Sequence, residues 1–387
     1  MTKNKIEAFP FRYYYIPFIG IILTGFANII YLTISHYRVY TDIGYKSFCA
    51  ISRSLNCDTV SQSPYSIFLN VPVPVWGIFA YLFTLYIILL AGRESANRSR
   101  MWPILFWIAL AFSIYSLILA GISTFIINSY CLMCILGYLV NFASLYYAWF
   151  INKRFGSKGL MRGLASDFWF LLANKQTAAP LIAGILVFSV SAPFWFPHYW
   201  EIKKPEAEVN LPQGMTEAGH PWIGAKEPEL VIHEFTDYLC FQCRKMHYYL
   251  RRLLESHPEK IRLVHRHFPM DHQYNPMVKE PYHVGSGKLA LISIHTKKKE
   301  KFWKTNDYFY TLGSHRESVE ISTIASTLGL TKEEIGMALR NKEYLSTLFK
   351  DIKKGLELGI TATPTYLING RTYQGNIPPA VLNDALN

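Results

Sequence analysis

Five stretches of the chain run without a charged residue: 13–35, 73–92, 103–127, 131–151 and 176–197. Each has about 20 residues or more, and at about 1.5 Å per residue a helix of that length crosses a hydrocarbon core of roughly 30 Å. A helix buried in a soluble core rarely runs so far without a polar face, so the pattern predicts five membrane spans. Residues 200–227 then turn polar and rich in Pro and Gly, as a linker does. Beyond them, the strand-like run Leu230-Val231-Ile232-His233-Glu234-Phe235 precedes a helical stretch through Met246, Tyr249, Leu250 and Leu253. The fold class expected is therefore multi-domain: a five-helix transmembrane bundle in residues 1–199, a linker, and an α/β domain in residues 228–387.

Charge refines this picture. The 387-residue chain carries a net charge of +12, and its first 199 residues hold 14 Lys/Arg against 5 Asp/Glu. These basic residues collect on alternate connections: Lys3, Lys5 and Arg12 at the start, Arg93, Arg98 and Arg100 after the second span, and Lys153, Arg154, Lys158, Arg162 and Lys175 after the fourth. Residues 128–130, after the third span, carry none, and the long first loop has only Arg38, Lys46 and Arg53. The positive-inside bias places the N-terminus in the cytoplasm and the C-terminal domain outside. The basic excess is thus a topology signal, and no nucleic-acid partner is expected. The first apolar stretch is too long for a signal-peptide core and no small-residue cleavage site follows it, so it reads as an uncleaved anchor.

The six cysteines fall into three pairs, Cys49 with Cys57, Cys131 with Cys134 and Cys240 with Cys243, and all six map to the outer side of the expected membrane. There a dithiol can persist as a disulfide, whereas the cytosol would keep it reduced. Cys240-Phe241-Gln242-Cys243 opens a helix after a strand. Free backbone N–H groups and the macrodipole at a helix start stabilise a thiolate. Cys240 is therefore expected to be the nucleophile and Cys243 the resolving thiol. A structural disulfide or half of a zinc site is the competing reading, but no second ligand pair lies nearby in sequence and no metal is expected. Phe241 and Gln242 carry no charge, so the Cys240 thiol is expected below its free value of about 8.5 but above the roughly 3.5 of the strongest oxidants. Cys131-Leu132-Met133-Cys134 opens the fourth apolar stretch at its outer edge. With the loop pair Cys49 and Cys57 beside it, a relay toward a lipid-soluble two-electron carrier, a quinone, is the expectation.

Further on, Gly359-Ile360-Thr361-Ala362-Thr363-Pro364-Thr365-Tyr366-Leu367-Ile368-Asn369-Gly370 reads as a loop, a short strand and a hairpin turn. Residues 228–387 here resemble a thioredoxin-fold domain, with Pro364 at the position of the family's substrate-facing cis-proline; an ordinary trans turn is the alternative. The long segment 318–359 reads as successive helices, with Thr331 and Glu334 in a capping-box pattern and Gly359 as a C-cap. Such a helical insertion resembles the DsbA branch of the fold.

Residues 10–151 resemble the vitamin K epoxide reductase family. The resemblance rests on the Cys-x7-Cys loop pair, Ser63 six residues after Cys57, Gly77 closing the loop, and the helix-opening Cys131–Cys134 followed by Tyr138 and Asn141. Bacterial members of the family often carry a fused thioredoxin-like domain. By position, the resemblance implies that Cys240 exchanges with Cys49, that Cys57 exchanges with Cys131, and that Cys134 faces the quinone. Tyr138 would donate to a quinone carbonyl, with Ser63 and Asn141 as further cofactor-binding candidates. An interfacial belt role for Tyr138 and a turn-starting role for Ser63 before Pro64 are the alternatives. Val73 stands where animal members place a quinone-contacting Asn, which favours quinone reduction over epoxide reduction. The implied function is a quinone-dependent thiol–disulfide oxidoreductase of the bacterial inner membrane, with ubiquinone or menaquinone as acceptor. Its partners would be reduced secreted or periplasmic proteins. An outward-directed reductase or isomerase, and a non-catalytic membrane-anchored binding module, are the rival readings.

Overall fold

A computed structural model describes residues 10–52, 54–93, 100–156, 159–173, 178–201, 211–312 and 320–386. Lys3, Lys5, Arg53, Arg98, Lys158, Lys175, linker residues 202–210 and residues 318–319 of the expected helical segment lie outside the described residues. The chain divides into two compact units, Met1–Glu201 and Ile202–Asn387.

The first unit is helical. Helix α1 (Arg12–Thr41) leads through a loop to the short α2 (Cys57–Ser61), a single 3₁₀ turn (Pro64–Ser66) and a small hairpin of β1 (Ile67–Phe68) and β2 (Val71–Pro72). Then follow α3 (Val73–Arg93), α4 (Trp102–Ile122) with a π turn (Ser123–Ile127), α5 (Leu132–Phe155), α6 (Leu160–Ala173) and α7 (Ala178–Trp195). Among the described residues four helices are long and apolar enough to cross a membrane: Arg12–Thr41, Val73–Gly92, Trp102–Ile127 and Leu132–Phe155. The fifth stretch forms the shorter α7. Residues 152–175, read as a mere connection, contain α6, whose Asp167 carboxylate accepts the Met101 amide at 2.9 Å and so starts α4.

Helix α1 buries Tyr14, Phe18, Ile22, Gly25, Asn28, Leu32 and Ser35, one face at three- and four-residue spacing. Small residues let backbones approach in lipid. A Cβ on Gly25 would fall 2.5 Å from the Tyr81 ring, and one on Gly77 2.5 Å from Ile29. Gly77, expected to close the loop, thus lies inside α3 and serves its contact with α1.

The second unit is a six-stranded sheet in the order β3-β4-β6-β5-β7-β8 with helices around it. The strands are β3 (Gln213–Met215), β4 (Pro221–Gly224), β5 (Leu230–Thr236), β6 (Ile261–His267), β7 (Thr365–Ile368) and β8 (Arg371–Gln374), with α8 (Phe241–Ser256) joining the parallel pair β5 and β6. Between β6 and β7 run α9 (Ser286–Lys297), α10 (Phe302–Leu312), α11 (Ile321–Leu328), α12 (Lys332–Arg340) and α13 (Lys342–Glu357); α14 (Pro379–Leu386) ends the unit. The helical insertion therefore begins at Ser286, well ahead of the expected residue 318. Thr331 and Glu334 form the expected capping box. Gly359, at φ 71°, follows α13 with its amide on the Leu356 carbonyl, the geometry of a C-terminal cap. Asn369 and Gly370 both take positive φ in the β7–β8 turn, as a two-residue hairpin of this hand requires. Phe235, Phe268, Leu291, Leu348, Ile352 and Ile360 fill the core between β5, β6 and the helices.

Candidate active sites

In the first unit the loop pair is closed: Cys49 and Cys57 form a disulfide with a Cα–Cα distance of 5.6 Å. Asn56 caps α2, its side chain accepting the Asp58 and Thr59 amides at 3.0 and 3.1 Å, which places Cys57 at the helix start. The loop is also tied to the residue before Cys131. The Asn56 amide donates to the Tyr130 carbonyl at 2.8 Å, and the Tyr130 amide to the Ser54 carbonyl at 2.7 Å. Cys49, Cys57 and Cys131 consequently share one apolar cluster with Leu32, with Cys134 packed against it.

Cys131 caps α5, its sulfur accepting the Cys134 amide at 3.1 Å. Asn28 of α1 grips the same turn, donating to the Met133 carbonyl at 2.9 Å. Facing it, the π turn Ser123–Ile127 ends at Asn128 in the left-handed region. Such widened turns recur at functional sites. Here the turn borders a cavity of about 180 Å³ lined by Ala120, Ser123, Tyr130, Cys131, Cys134, Ile135 and Tyr138. An apolar cavity of roughly 150 Å³ suffices for a benzene-sized ring.

Cys131, Cys134 and Tyr138 thus come together; Ser63 and Asn141 do not line this cavity. Asn141 accepts from the Tyr81 hydroxyl at 2.8 Å and donates to the Ser116 hydroxyl at 2.9 Å, a bridge among α3, α4 and α5. The Ser63 hydroxyl donates to the Val60 carbonyl at 2.8 Å, inside its own turn. Ser123 and Tyr130 went unnoticed in the sequence. Tyr130 had a signal, as the residue just before the CxxC, but Ser123 had none.

In the second unit, Cys240 caps α8, its sulfur accepting the Cys243 amide at 3.3 Å. The Thr363–Pro364 bond is cis. It brings the Thr363 carbonyl to 3.5 Å from the Cys240 sulfur, so residues 123 apart in sequence share one site. The two sulfurs differ sharply. Burial opposes a Cys240 thiolate, but hydrogen bonds from Cys243 and the charge of His283 outweigh it and hold this thiol below its ordinary value. Burial, followed by the sulfur of Cys240, pushes the Cys243 thiol well above it. Cys240 is therefore the sulfur of the pair that forms a thiolate more readily. Gln242, between them, donates to the Gly375 carbonyl at 3.2 Å.

A buried polar chain also crosses β5 and β6. Glu234 of β5 is held by His265 of β6 at 2.9 Å, and His265 meets His267 at 3.1 Å. A lone carboxylate inside an apolar strand was the available signal for Glu234. Burial keeps both His265 and His267 below the ordinary histidine value, and His267 the further.

Comparison with known proteins follows the same division. Residues 16–149 match the vitamin K epoxide reductase family, and residues 216–387 match a thioredoxin family. Among curated proteins, the chain is 24% identical over 229 residues to the Na(+)/H(+) antiporter NhaA of Herminiimonas arsenicoxydans, covering 56% of this chain and 33% of that protein. It is 22% identical over 154 residues to NhaA 3 of Salinispora tropica, covering 39% of this chain and 22% of that protein. The chain thus spans a third or less of the length of these curated relatives. Among solved structures it is similar to a thioredoxin-like oxidoreductase from Silicibacter pomeroyi, at 22% identity and a TM-score of 0.35 over 43% of this chain and 90% of that one. It is also similar to alpha-DsbA1 of Wolbachia pipientis, at 18% identity and a TM-score of 0.37 over 44% and 90%. The chain joins a vitamin K epoxide reductase family domain, residues 16–149, to a thioredoxin family domain, residues 216–387.

Proposed function

We propose that this protein is a membrane thiol–disulfide oxidoreductase that oxidises dithiols of secreted proteins and delivers the electrons to a membrane quinone. The observation that carries the reading is the packing of Cys131 against the closed Cys49–Cys57 pair, while Cys134 and Tyr138 line the adjoining cavity. In the cycle, a substrate dithiol loses two electrons and two protons to the Cys240–Cys243 disulfide. The resulting dithiol is reoxidised by Cys49–Cys57, with Cys49 taking the first mixed disulfide. Cys57 of the reduced loop then attacks Cys131 of a Cys131–Cys134 disulfide, and Cys49 displaces Cys131 to restore Cys49–Cys57. The freed Cys131–Cys134 dithiol closes again as two electrons and two protons pass to the acceptor. Ubiquinone or menaquinone supplies a two-electron, two-proton acceptor, held by the cavity wall with Tyr138 as hydrogen-bond donor. Ser63 and Asn141 act indirectly, by shaping the loop turn and the helix contacts.

The cis-Pro364 loop faces Cys240 and is the natural place for a substrate backbone to lie. The basic connections orient the chain in a bacterial inner membrane with its N-terminus in the cytoplasm and the thioredoxin domain in the periplasm. A high-potential acceptor favours oxidation, since about 30 mV is worth roughly 1.4 kcal/mol for two electrons. The test is reduction of a soluble quinone by purified protein supplied with a reduced dithiol peptide. Turnover that is lost in Cys134→Ser supports the reading. Peptide oxidation without quinone consumption, or quinone reduction indifferent to Cys134, refutes it.

A further inference from the structure

We propose that Asp237 and His283 form a charge-setting pair for Cys240, in which His283, from the loop ahead of α9, governs how readily the attacking thiolate forms. The inference rests on the reading of Cys240 as the attacking sulfur and adds a residue that no motif around the cysteines contains.

Asp237 lies three residues before Cys240, and its carbonyl accepts the Cys240 amide at 3.2 Å. Its carboxylate is wholly buried and collects four hydrogen bonds. One oxygen accepts the Leu239 amide at 2.7 Å; the other accepts the Met270 amide at 2.6 Å, the Ser286 hydroxyl at 3.1 Å and His283 Nδ1 at 3.0 Å. A carboxylate has about four acceptor sites, so this donor set suits the ionised form. Three of these donors are neutral at any working pH. His283 is the fourth, and histidine changes charge across the physiological range.

The negative charge of Asp237 faces both sulfurs and opposes their thiolates, while the positive charge of His283 favours the thiolate of Cys240. When His283 is charged, it offsets the buried carboxylate beside the reacting sulfur. When it is neutral, that carboxylate acts alone. The imidazole is also held in place. Tyr282 stacks on it at 4.1 Å between ring centroids, its backbone sits at φ 38°, and Asp271 pins the following turn by accepting the Gly285 amide at 2.9 Å. Among the described residues, Asp237 bonds His283 and Cys240 feels its charge; Asp271, beside His272, holds the turn that follows, and Lys279 and Glu280 lie exposed a few residues ahead in sequence.

His283→Asn tests this closely. Asn Nδ2 occupies the same covalent position as His Nδ1, so the bond to Asp237 is kept, and Asn tolerates positive φ. The capacity for charge is lost, together with the ring that Tyr282 stacks on; His283→Arg separates the two. The reduced full-length protein in detergent is alkylated with iodoacetamide across a pH series, and each cysteine is read by mass spectrometry of its peptide. In His283→Asn the midpoint for Cys240 should rise by about 1 pH unit, a roughly tenfold loss of thiolate at pH values below both midpoints. His283→Arg, which keeps the charge, should leave the midpoint at or below that of the wild type. An unchanged midpoint in His283→Asn overturns the proposal. If that variant fails to fold, a midpoint for His283→Arg above the wild type overturns it instead. Failure of the underlying reading looks different: in the wild type itself, Cys240 would alkylate no faster than Cys243 at neutral pH.

Discussion

Asp351 offers a quantitative check on the electrostatics of the thioredoxin domain. It reaches from α13 to the back of β6 and is 1% exposed. One oxygen accepts the His267 amide at 3.1 Å, and the other lies 3.4 Å from His220 Nδ1 and 3.5 Å from Arg266. Burial raises its carboxyl from 3.8 to about 6, against the opposing pull of the His267 amide, Arg266 and Lys297. Two pH units correspond to about 3 kcal/mol. An acid whose folded pKa exceeds its unfolded one binds more protons when folded. Its ionisation therefore costs stability as pH rises from about 4 to 6, and the full cost is present above that window. Asp351→Asn mimics the protonated acid. Its oxygen still accepts the His267 amide, and its nitrogen meets His220, which burial pushes down to about 4 and so keeps neutral.

The variant should gain up to about 3 kcal/mol at pH 8 and almost nothing at pH 4. For a domain of this size each kcal/mol moves the unfolding temperature by roughly 2–4 °C, so a rise of about 6–12 °C is expected at pH 8. The assay is protease resistance of the second unit within the full chain, read as temperature is raised at each pH. A loss of stability at pH 8, or an equal change at both pH values, would show that the ionised Asp351 stabilises the fold and that the reasoning is wrong.

Four further outcomes bear on the proposed relay and the packing around it. Cys134→Ser deprives Cys131 of its partner, so a Cys57–Cys131 disulfide should accumulate in non-reducing digests; finding only Cys49–Cys57 with free Cys131 rejects the order of exchange. Cys243→Ala should trap secreted proteins on Cys240 in cells, and complexes captured instead by Cys243 in Cys240→Ala would reverse the two roles. Tyr138→Phe, which removes one hydroxyl from the cavity wall, should slow quinone reduction about tenfold, the worth of roughly one hydrogen bond. Asn141→Ala should instead lower the unfolding temperature with little change in apparent quinone affinity. Equal kinetic effects from the two variants would count against this division of labour.

Features encoded by neighbouring residues could be read directly from the sequence. Uncharged runs of about 20 residues marked the long helices because a span needs only length and apolarity. Thr331 and Glu334 marked a helix start, and Asn369-Gly370 a hairpin turn, because caps and tight turns are satisfied within a few residues. The three cysteine pairs were visible for the same reason. The exceptions among the helices are telling. Helix α6 was missed because it is too short and too polar to look like a span, and α9 and α10 because no cap pattern announced them.

The surroundings of the sulfurs belong to tertiary structure. Asn141 and Ser63 stood at promising intervals, yet spacing along a chain does not say what occupies the neighbouring helix; Tyr81 and Ser116 hold the one, and the Val60 carbonyl holds the other. Ser123 reaches the cavity through a π turn that no local pattern signals. His283 meets Asp237 across 46 residues. The sequence alone determined which groups in this protein can carry charge or electrons. Which of them meet, and at what cost in buried charge, was decided by packing, because electrostatic energy depends on separation in space and on the water excluded from it.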